Sequence, residues 1–263
     1  MSRPFLEGEH PIAFAHRGGA KLWPENTLTA FRGALELGIR YIETDVHRTR
    51  DGQLVCFHDR ALERTTDGHG PVALHTLAEL RRLDAGGRFT RDGRTFPHRG
   101  AGVGIPTLEE ALALDPGLRF NVEIKPEGPE VVELLWAFVE RHRLQDRVLV
   151  GAAKDRQGLA FRRLARGAVP TSPGARGILR FWLGARTGLH RLLRFDVDAL
   201  QVPTKHHGLT VVDAAFVRAA HKHGLHVHVW TVDDPGEMRR LLQLGVDGLM
   251  SDRPDLLLDV LGR

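Results

Sequence analysis

The sequence predicts an α/β fold of the (β/α)₈ barrel class, formed by a single domain over residues 1–263. Short apolar runs alternate with amphipathic helical patterns, eight such units follow one another, and the length suits a barrel of about 250 residues. Parallel strands need crossover connections, so the alternation favours a parallel sheet, and eight units favour its closure. No Gly-x-Gly-x-x-Gly follows the first strand, which disfavours an open dinucleotide-binding sheet.

The predicted strands are short runs rich in β-branched and apolar residues, and helical periodicity follows most of them. They cover residues 12–16, 41–46, 119–125, 148–152, 168–171, 200–203, 227–231 and 248–251. The clearest helical patterns lie at 28–37, 129–141, 211–223 and 235–244. In a barrel of this class, the carboxyl ends of successive strands form one common edge.

One long connection interrupts the alternation, between the second and third predicted strands. Its first part contains Asp51-Gly52 between two extended runs, which is a strong signal for a β-hairpin. The remainder, residues 60–103, is rich in Gly, Arg, Thr and His and contains one short helical pattern at 76–83. Long loops that follow barrel strands usually lie over the active edge, so we expect a small insertion subdomain that covers the site.

The composition is that of a globular protein, with 42 % hydrophobic and 27 % charged residues. The formal net charge of +4 comes from basic residues spread along the chain, which does not favour nucleic acid as a partner. Cys56 is the single cysteine, so an intrachain disulfide or a cysteine metal cluster cannot form. The sequence contains neither a recognisable signal peptide nor a long apolar run, and we expect a cytoplasmic protein.

The second predicted strand contains Glu43 and Asp45, two residues apart. Side chains at i and i+2 of a strand point to the same side, where two ionised carboxylates repel each other. A divalent cation that prefers oxygen ligands, Mg²⁺ or Ca²⁺, would compensate them, so the pair predicts a metal site. The alternative is a polar edge strand on which both acids are solvated.

The third predicted strand contains Glu123 and Lys125, again two residues apart. The second and third strands are neighbours in a barrel, so Glu123 can approach Glu43 and Asp45. Three carboxylates and water suit one Mg²⁺ or Ca²⁺ ion, and the Lys125 ammonium offers a positive charge to an anionic oxygen. The alternative is a structural ion pair between Glu123 and Lys125.

Two histidines stand at the ends of predicted strands. His16 ends the first strand and is followed by Arg17, which can bind phosphate through two parallel hydrogen bonds. His58 ends the return strand of the hairpin, where Asp59 could orient its imidazole. Imidazoles transfer protons near pH 7, so two of them beside a phosphate suit phosphoryl transfer. For any single histidine among the fifteen, a structural or surface role is the alternative.

The first long helical pattern begins after Pro24-Glu25-Asn26-Thr27. Asn26 is the predicted N-cap of this helix, and helix capping accounts for both Asn26 and Thr27. Glu25 has two interpretations, since it could be a further ligand in the site or a hydrogen-bond acceptor near His16.

Residues 178–193 combine apolar and basic side chains after the fifth predicted strand. They could form a lid that contacts lipid or a hydrophobic substrate tail, which would make a peripheral membrane contact. The alternative, which we favour, is an ordinary barrel helix that packs its apolar face on the core while its arginines are solvated.

Five blocks in order along the chain resemble the glycerophosphodiester phosphodiesterase family. The most specific are His-Arg-Gly-Gly-x-x-x-x-Pro-Glu-Asn-Thr at 16–27 and Glu-Thr-Asp-Val-x-x-Thr-x-Asp-Gly-x-x-Val-x-x-His-Asp at 43–59. The others are Asn-Val-Glu-Ile-Lys at 121–125, Val-Trp-Thr-Val-Asp-Asp at 229–234, and Gly-Val-Asp-Gly-Leu-Met-Ser-Asp-Arg-Pro-Asp at 245–255. Asp233 and Ser251 depart from the family pattern, in which asparagine is frequent at the first position and threonine stands at the second.

The resemblance implies a (β/α)₈ barrel with an insertion after its second strand, in agreement with the strand pattern. It implies that Glu43, Asp45 and Glu123 bind one divalent metal ion, Mg²⁺ or Ca²⁺. It also implies that His16 and His58 are the acid–base pair of the reaction.

The implied substrate contacts come from four residues. By the resemblance, Arg17 and Lys125 hold phosphate oxygens, and Trp230, after the seventh strand, lines the substrate pocket. Ordinary barrel packing is the alternative for Trp230. Glu25 is the fourth candidate for substrate binding.

The resemblance implies hydrolysis of glycerophosphodiesters to sn-glycerol 3-phosphate and an alcohol, in glycerophospholipid metabolism. Either the neighbouring glycerol hydroxyl attacks phosphorus and gives a cyclic phosphate that water opens, or water attacks directly. An alternative function is a lysophospholipase D-like phosphodiesterase that acts on acylated substrates. A noncatalytic phosphate-binding barrel is a further alternative, and nucleic-acid hydrolysis is disfavoured because aromatic and basic residues are not clustered.

Overall fold

The structure is a computed structural model that describes residues 3–125 and 128–263, so residues 1, 2, 126 and 127 of the predicted domain lie outside it. Its strands are β1 (Ile12–His16), β2 (Tyr41–Arg48), β3 (Leu54–Cys56), β4 (Arg119–Ile124), β5 (Val148–Ala152), β6 (Ala199–Pro203), β7 (Lys205–His206), β8 (Leu209–Thr210), β9 (His226–Trp230) and β10 (Gly248–Ser251). Its helices are α1 (Leu28–Glu36), α2 (Leu77–Leu80), α3 (Leu108–Leu112), α4 (Glu130–Arg141), α5 (Asp155–Ala165), α6 (Ala175–Thr187), α7 (Ala214–Lys222), α8 (Pro235–Gln243) and α9 (Pro254–Leu261).

Within the described residues, seven parallel strands form the barrel sheet in the order β5, β4, β2, β1, β10, β9 and β6. A helix leads from each of these strands towards the next one along the chain, so strands and helices alternate as predicted. The predicted (β/α)₈ barrel is therefore confirmed. Because the strands are parallel, their carboxyl ends meet at one edge of the barrel.

The predicted strand at 168–171 is not a regular strand. Thr171 instead makes a single parallel bridge with Val150. The Val150 amide donates to the Pro170 carbonyl (3.0 Å), and the Ala199 amide donates to the Thr171 carbonyl (3.3 Å). These bonds join β5 to β6 and close the barrel, although Pro170 has no amide hydrogen with which to continue a ladder.

The predicted hairpin is confirmed, because β2 and β3 pair in antiparallel fashion around Gly52, which has a φ of 77°. The chain of residues 60–103 then packs on this hairpin through a small hydrophobic cluster. Its buried members are Val55, Phe57, Leu62, Val72, Leu80, Ala85, Val103 and Ile105. The helical pattern predicted at 76–83 is shorter in the structure, where α2 starts after a capping box formed by Thr76 and Glu79.

Side-chain caps explain where several outer helices begin. The Thr107 hydroxyl accepts from the Glu110 amide at the start of α3, and Asp213 and Asp234 accept from amides in the first turns of α7 and α8. Each cap is worth about 1 kcal/mol, because it satisfies an amide that has no partner within the helix.

The inside of the barrel is apolar at one end and polar at the other. Ile12, Phe14 and His16 share one side of β1, since alternate residues of a strand point the same way. Ile12 and Phe14 belong to a buried cluster with Phe5 and Tyr41, and the Tyr41 hydroxyl donates to the Phe5 carbonyl (3.0 Å). This cluster fills the end where the strands begin, which leaves His16 at the opposite, polar end.

Most of residues 178–193 lie in α6 and in the 3₁₀ helix Leu189–Leu192 that follows it. Phe181 is buried, and its ring centroid lies 5.0 Å from that of Phe195 and 5.1 Å from that of Phe216. The predicted barrel helix is therefore present, and its apolar side packs on the core. Across the part of the chain that the structure describes, no helix has both the length and the apolar character needed to cross a bilayer.

His228 is fully buried on β9, inside the barrel. Among the described residues, neither of its ring nitrogens has a hydrogen-bond partner. The Phe14 ring centroid lies 5.0 Å from the imidazole centroid, and a side chain at Gly248 would press on the imidazole at 3.0 Å. Burial, reinforced by the nearby imidazoles of His226 and His10, lowers the pKa of His228 well below 6.5.

We expect the free energy of unfolding to fall as the pH drops below about 6.5, because His228 binds a proton more readily in the unfolded chain. His228→Phe should remove up to about 2 kcal/mol of the difference between pH 8 and pH 5, with urea unfolding as the measurement. His69→Phe, which changes an exposed histidine, is the control. An unaltered pH dependence in His228→Phe would show that other groups cause it.

Candidate functional site

The polar end of the barrel is built where β1, β2 and β4 end side by side. The strand register pairs His16 with Glu43 across β1 and β2, and it pairs Asp45 with Glu123 across β2 and β4. Glu43 and Asp45 point to the same side because they are two residues apart in one strand. Neighbouring strands thus bring these four predicted site residues together.

Glu43, Asp45 and Glu123 form one acidic group. Each offers a carboxylate oxygen, and these oxygens lie within 4.8 Å of one another. Glu43 and Asp45 are 4 % and 2 % exposed, whereas Glu123 is half-buried. Burial raises the pKa of Glu43 to about 8, with the negative charges of Asp45 and Glu123 acting in the same direction. The group therefore has a strong electrostatic demand for a cation.

Lys125 places its ammonium group against two of these carboxylates. Its Nζ lies 2.8 Å from Asp45 Oδ1 and 2.7 Å from Glu123 Oε1. Burial disfavours the charged lysine, but the two carboxylates outweigh it and raise the pKa of Lys125. Burial is likewise outweighed at Asp45, whose pKa is lowered mainly by Lys125. The ion pair of Glu123 with Lys125 is thus present within the acidic group and does not replace it.

Arg17 approaches the acidic group from the turn after β1. It has a φ of 51°, its amide donates to Glu43 Oε2 (3.2 Å), and its Nε lies 3.6 Å from Asp45 Oδ2. Gly18 follows with a φ of 84°, and a Cβ there would lie 2.7 Å from the Ala30 Cβ. Glycine is required at this position both by the backbone angle and by the close approach of α1.

His16 is oriented by Asp252, which follows β10. Its Nδ1 bonds to Asp252 Oδ1 (2.6 Å), and its Nε2 lies 3.7 Å from Glu43 Oε2. Burial opposes protonation of His16, but the charge of Glu43 and the bond to Asp252 outweigh it and raise the pKa of His16. Asp252 was not among the residues predicted from the sequence. Its signal was its position directly after the last strand, which pairs with β1.

The two departures from the family pattern bond to each other. Ser251 Oγ donates to Asp233 Oδ1 (2.9 Å), which also accepts from the Asp252 amide (2.8 Å). Lys21 Nζ lies 2.9 Å from Asp233 Oδ2 and compensates the negative charge of this aspartate. Together these contacts fix the backbone that carries Asp252.

His58 is oriented by Asp59, as the sequence predicts. Its Nδ1 bonds to Asp59 Oδ1 (2.6 Å). Burial lowers the pKa of His58, and the positive charges of Lys125 and Arg17 add to this effect, whereas Asp45 opposes it. The Phe57 amide donates to the Asp45 carbonyl (3.0 Å), so the hairpin brings the next residue, His58, alongside the strand that carries the acidic group.

Arg64, from the insertion, connects Asp59 with the turn after β1. Its two terminal nitrogens donate to the Glu25 carboxylate (2.8 and 2.6 Å), and its Nε and Nη2 donate to Asp59. Glu25 also accepts from Arg17 Nη1 (3.0 Å). Burial alone would raise the pKa values of Glu25 and Asp59, but these bonds outweigh it and lower both. The pKa of Asp59 is lowered to about 2. Sequence reasoning missed Arg64, because one arginine in an arginine-rich insertion carries no distinct signal.

Asn26 is not the N-cap of α1, and that prediction was wrong. Thr27 is the N-cap, and its side chain accepts from the Ala30 amide (3.2 Å). Asn26 has a φ of 55° and points into the site, where its Nδ2 donates to Asp45 Oδ2 (2.9 Å) and its Oδ1 accepts from Thr44 (2.7 Å). Asparagine tolerates the left-handed backbone region, so it can serve here as a support for Asp45.

Trp230 lies at the carboxyl end of β9, on the same edge of the barrel as the acidic group. It is 42 % exposed, in contrast to the fully buried Val227 and Val229 of the same strand. An indole that remains this accessible is available for contact with a bound molecule.

The donor set suits one hard divalent cation. Mg²⁺ and Ca²⁺ prefer oxygen ligands, which Glu43, Asp45 and Glu123 supply from two neighbouring strands. The buried Glu43 has a pKa of about 8, so a cation would stabilise its ionised form. The arrangement thus combines a cation site, basic groups for an anion and two imidazoles held by carboxylates.

Comparison with known sequences finds similar proteins over nearly the whole chain. The sequence model of the Glycerophosphoryl diester phosphodiesterase family matches residues 16–256. The chain is 40 % identical to a probable glycerophosphodiester phosphodiesterase of Mycobacterium tuberculosis, over 98 % of this chain and 93 % of the relative. It is 34 % identical to a glycerophosphodiester phosphodiesterase of Caldanaerobacter subterraneus, over 95 % of this chain and 97 % of the relative.

Solved structures agree with these matches. A phosphodiesterase of Oleispira antarctica, in complex with the product sn-glycerol-3-phosphate, superposes with a TM-score of 0.78 at 27 % identity, covering 97 % of this chain and 98 % of that one. A glycerophosphodiester phosphodiesterase of Agrobacterium tumefaciens superposes with a TM-score of 0.72 at 27 % identity, covering 94 % and 98 %.

We expect binding of Mg²⁺ or Ca²⁺ at pH 7 to release about one proton, because the metal-free Glu43 carries one below its pKa of about 8. Calorimetry in buffers of different ionisation enthalpy measures this number. Glu43→Gln should abolish the release and weaken metal binding by about tenfold or more.

Glu140→Gln, on the exposed surface of α4, is the matched control for this titration. It should bind metal and release the proton as the unaltered protein does. An unchanged metal titration in Glu43→Gln would contradict the assignment of Glu43 as a ligand.

Proposed function

We propose that this chain, which belongs to the Glycerophosphoryl diester phosphodiesterase family and is a phosphoric diester hydrolase, converts glycerophosphodiesters to sn-glycerol 3-phosphate and an alcohol. The family match over residues 16–256 confirms the resemblance inferred from the sequence motifs. We further propose that the reaction depends on one divalent metal ion and serves glycerophospholipid metabolism. The cytoplasmic location stays a prediction.

One observation carries this proposal: the acidic group lies at the strand ends where two imidazoles, each bonded to a carboxylate, are also positioned. His16 ends β1 next to Glu43, and His58 follows Phe57, whose amide donates to the Asp45 carbonyl. A phosphodiester bound at the acidic group would therefore lie near both proton carriers.

The proposed metal ligands are Glu43, Asp45 and Glu123. When bound, a divalent ion would polarise the phosphoryl oxygens and neutralise the charge that develops on them. Arg17 and Lys125 carry positive charges against the same carboxylates, so both are placed to bind nonbridging phosphate oxygens. A bound phosphate would supply part of the negative charge that these carboxylates now supply to Arg17 and Lys125.

His16 and His58 share the proposed proton transfers. Each bonds through Nδ1 to an aspartate, which fixes the ring and leaves Nε2 as the nitrogen that can face the substrate. One histidine removes the proton of the attacking hydroxyl, and the other protonates the leaving alkoxide. This division of labour serves attack by the neighbouring glycerol hydroxyl and attack by water equally well.

The proposed substrate pocket extends from the acidic group towards Trp230 and the insertion. We propose that residues 60–103 form a subdomain over this edge of the barrel, attached to it by the bonds from Arg64 to Glu25 and Asp59. Glu25 then acts through Arg17, whose guanidinium it holds in position. Trp230 would pack against the glycerol or alcohol portion of the ester.

We expect purified protein to release sn-glycerol 3-phosphate from glycerophosphocholine, glycerophosphoethanolamine or glycerophosphoglycerol. EDTA should abolish the release, and added Mg²⁺ or Ca²⁺ should restore it, because the three carboxylates need a cation to hold the anionic ester. A coupled assay for glycerol 3-phosphate measures the product. Lysophosphatidylcholine is the comparison substrate, since an acylated substrate is not favoured by the named relatives. Full activity in EDTA would refute the metal dependence.

We expect His16→Ala and His58→Ala each to lower kcat by about 10²–10⁴-fold, because each removes one proton-transfer group. The double variant should lose less than the product of the two single losses, since the residues act as a unit. His69→Ala, in the insertion, is the control, and circular dichroism tests whether the variants are folded. Near-normal turnover in both single variants would eliminate the pair.

A further inference from the structure

Residues 156–195 contain nine arginines and neither an aspartate nor a glutamate. The whole chain has a formal charge of +4, so the residues outside this segment carry a net charge of −5. Basic residues are spread along the whole chain, but this segment, which covers most of α5, α6 and the 3₁₀ helix Leu189–Leu192, lacks the acids that balance them elsewhere. Eight of the nine arginines are exposed.

The same segment contains most of the exposed apolar side chains. Among the described residues, ten large hydrophobic side chains are exposed, and six of them are leucines within residues 156–195. Leu192 is 81 % exposed and Leu179 is 55 % exposed. Single exposed leucines are ordinary on protein surfaces, but this concentration in an acid-free segment is not.

Helix geometry places the leucines and arginines of α6 on one surface. Leu179 and Leu183 are four residues apart, as are Arg176 and Arg180, and each arginine precedes one of the leucines by three residues, so the four side chains are neighbours. The opposite side of α6 is buried through Phe181. We name the exposed surface formed by Arg176, Leu179, Arg180 and Leu183 of α6 the Arg–Leu face.

The helix that carries the Arg–Leu face, α6, is joined to the start of α5 at the edge of the barrel that carries the site. Asp155, at the start of α5, accepts from the amides of Arg176 (3.1 Å) and Gly177 (3.0 Å). Trp182 and Arg186 of α6 donate to the carbonyl of Thr210, in the β7–β8 hairpin that follows the end of β6. A partner bound to the Arg–Leu face would therefore lie beside the edge that holds the acidic group.

We propose that the Arg–Leu face binds the surface of an anionic lipid bilayer. Leucines can insert between lipid head groups while the surrounding arginines pair with anionic ones, as in helices that lie in the membrane interface. A second copy of the chain is disfavoured as the occupant, because two such basic faces repel each other. Nucleic acid would satisfy the arginines but would gain nothing from the leucines. The proposal concerns this surface alone and does not depend on the proposed function.

The test is cosedimentation of the full chain with vesicles. We expect binding to phosphatidylcholine vesicles that contain about 30 % phosphatidylglycerol at about 50 mM NaCl, release at about 0.5 M NaCl, and little binding to pure phosphatidylcholine. Arg176→Gln with Arg180→Gln should lower the partition coefficient on the order of twentyfold. Leu179→Ser with Leu183→Ser should lower it by a similar factor, since both leucines would insert.

Matched variants elsewhere on the surface are the controls. Arg32→Gln with Arg239→Gln removes two exposed arginines, and Leu37→Ser with Leu74→Ser removes two exposed leucines, outside the Arg–Leu face. Both should bind vesicles normally. All variants should hydrolyse a soluble glycerophosphodiester at the unaltered rate, which separates a failure of docking from a failure of the proposed activity.

Three results would overturn the proposal. The first is equal binding to anionic and neutral vesicles, or binding to neither. The second is a loss in the control variants that matches the loss in the Arg–Leu face variants. The third is a loss with the arginine pair but not with the leucine pair, together with displacement of the vesicles by an RNA oligonucleotide, which would indicate a general polyanion surface.

Discussion

The repulsion between two carboxylates buried side by side is the constraint on which this structure depends. Glu43 and Asp45 project from the same side of β2 and are almost completely removed from water. Ionising both acids away from water is unfavourable unless positive charge lies near them. The pKa of about 8 for Glu43 reflects this cost. Cationic and hydrogen-bonding groups accordingly surround the pair, each supplied by a different part of the chain.

The barrel can meet this demand because its strands all end at one edge. β1 contributes His16 and the turn that carries Arg17, and β4 contributes Glu123 and leads into Lys125. A buried arrangement of charges is weak evidence for stability, since desolvation offsets much of the attraction between the ions. Such a cluster is therefore better explained by a requirement for function, and it can be kept because the opposite end of the barrel is filled by an apolar cluster around Phe14.

The parts of the site that follow from strand geometry could be predicted from the sequence, whereas contacts across separate loops could not. The alternation of β2 and the adjacency of β4 were enough to bring Glu43, Asp45 and Glu123 together. Asn26 was misassigned as a helix cap because its left-handed backbone, which turns it towards Asp45, leaves no mark in the sequence. Asp252 reaches the site only because the barrel closes, and Arg64 reaches it only because the insertion folds back. The strand predicted at 168–171 from its apolar residues is irregular around Pro170.

The protein uses arginine in two opposite ways, and burial decides which one applies. Arg17 is largely buried and faces Glu25 and Asp45, so its charge is neutralised within the protein. Among the exposed arginines of residues 156–195, only Arg186 forms a salt bridge in the described part of the chain. Salt screens exposed charges far more than buried ones. Raising the ionic strength should therefore weaken the attraction of the Arg–Leu face for anions. The same change should leave the buried charge network around Glu43 and Asp45 intact.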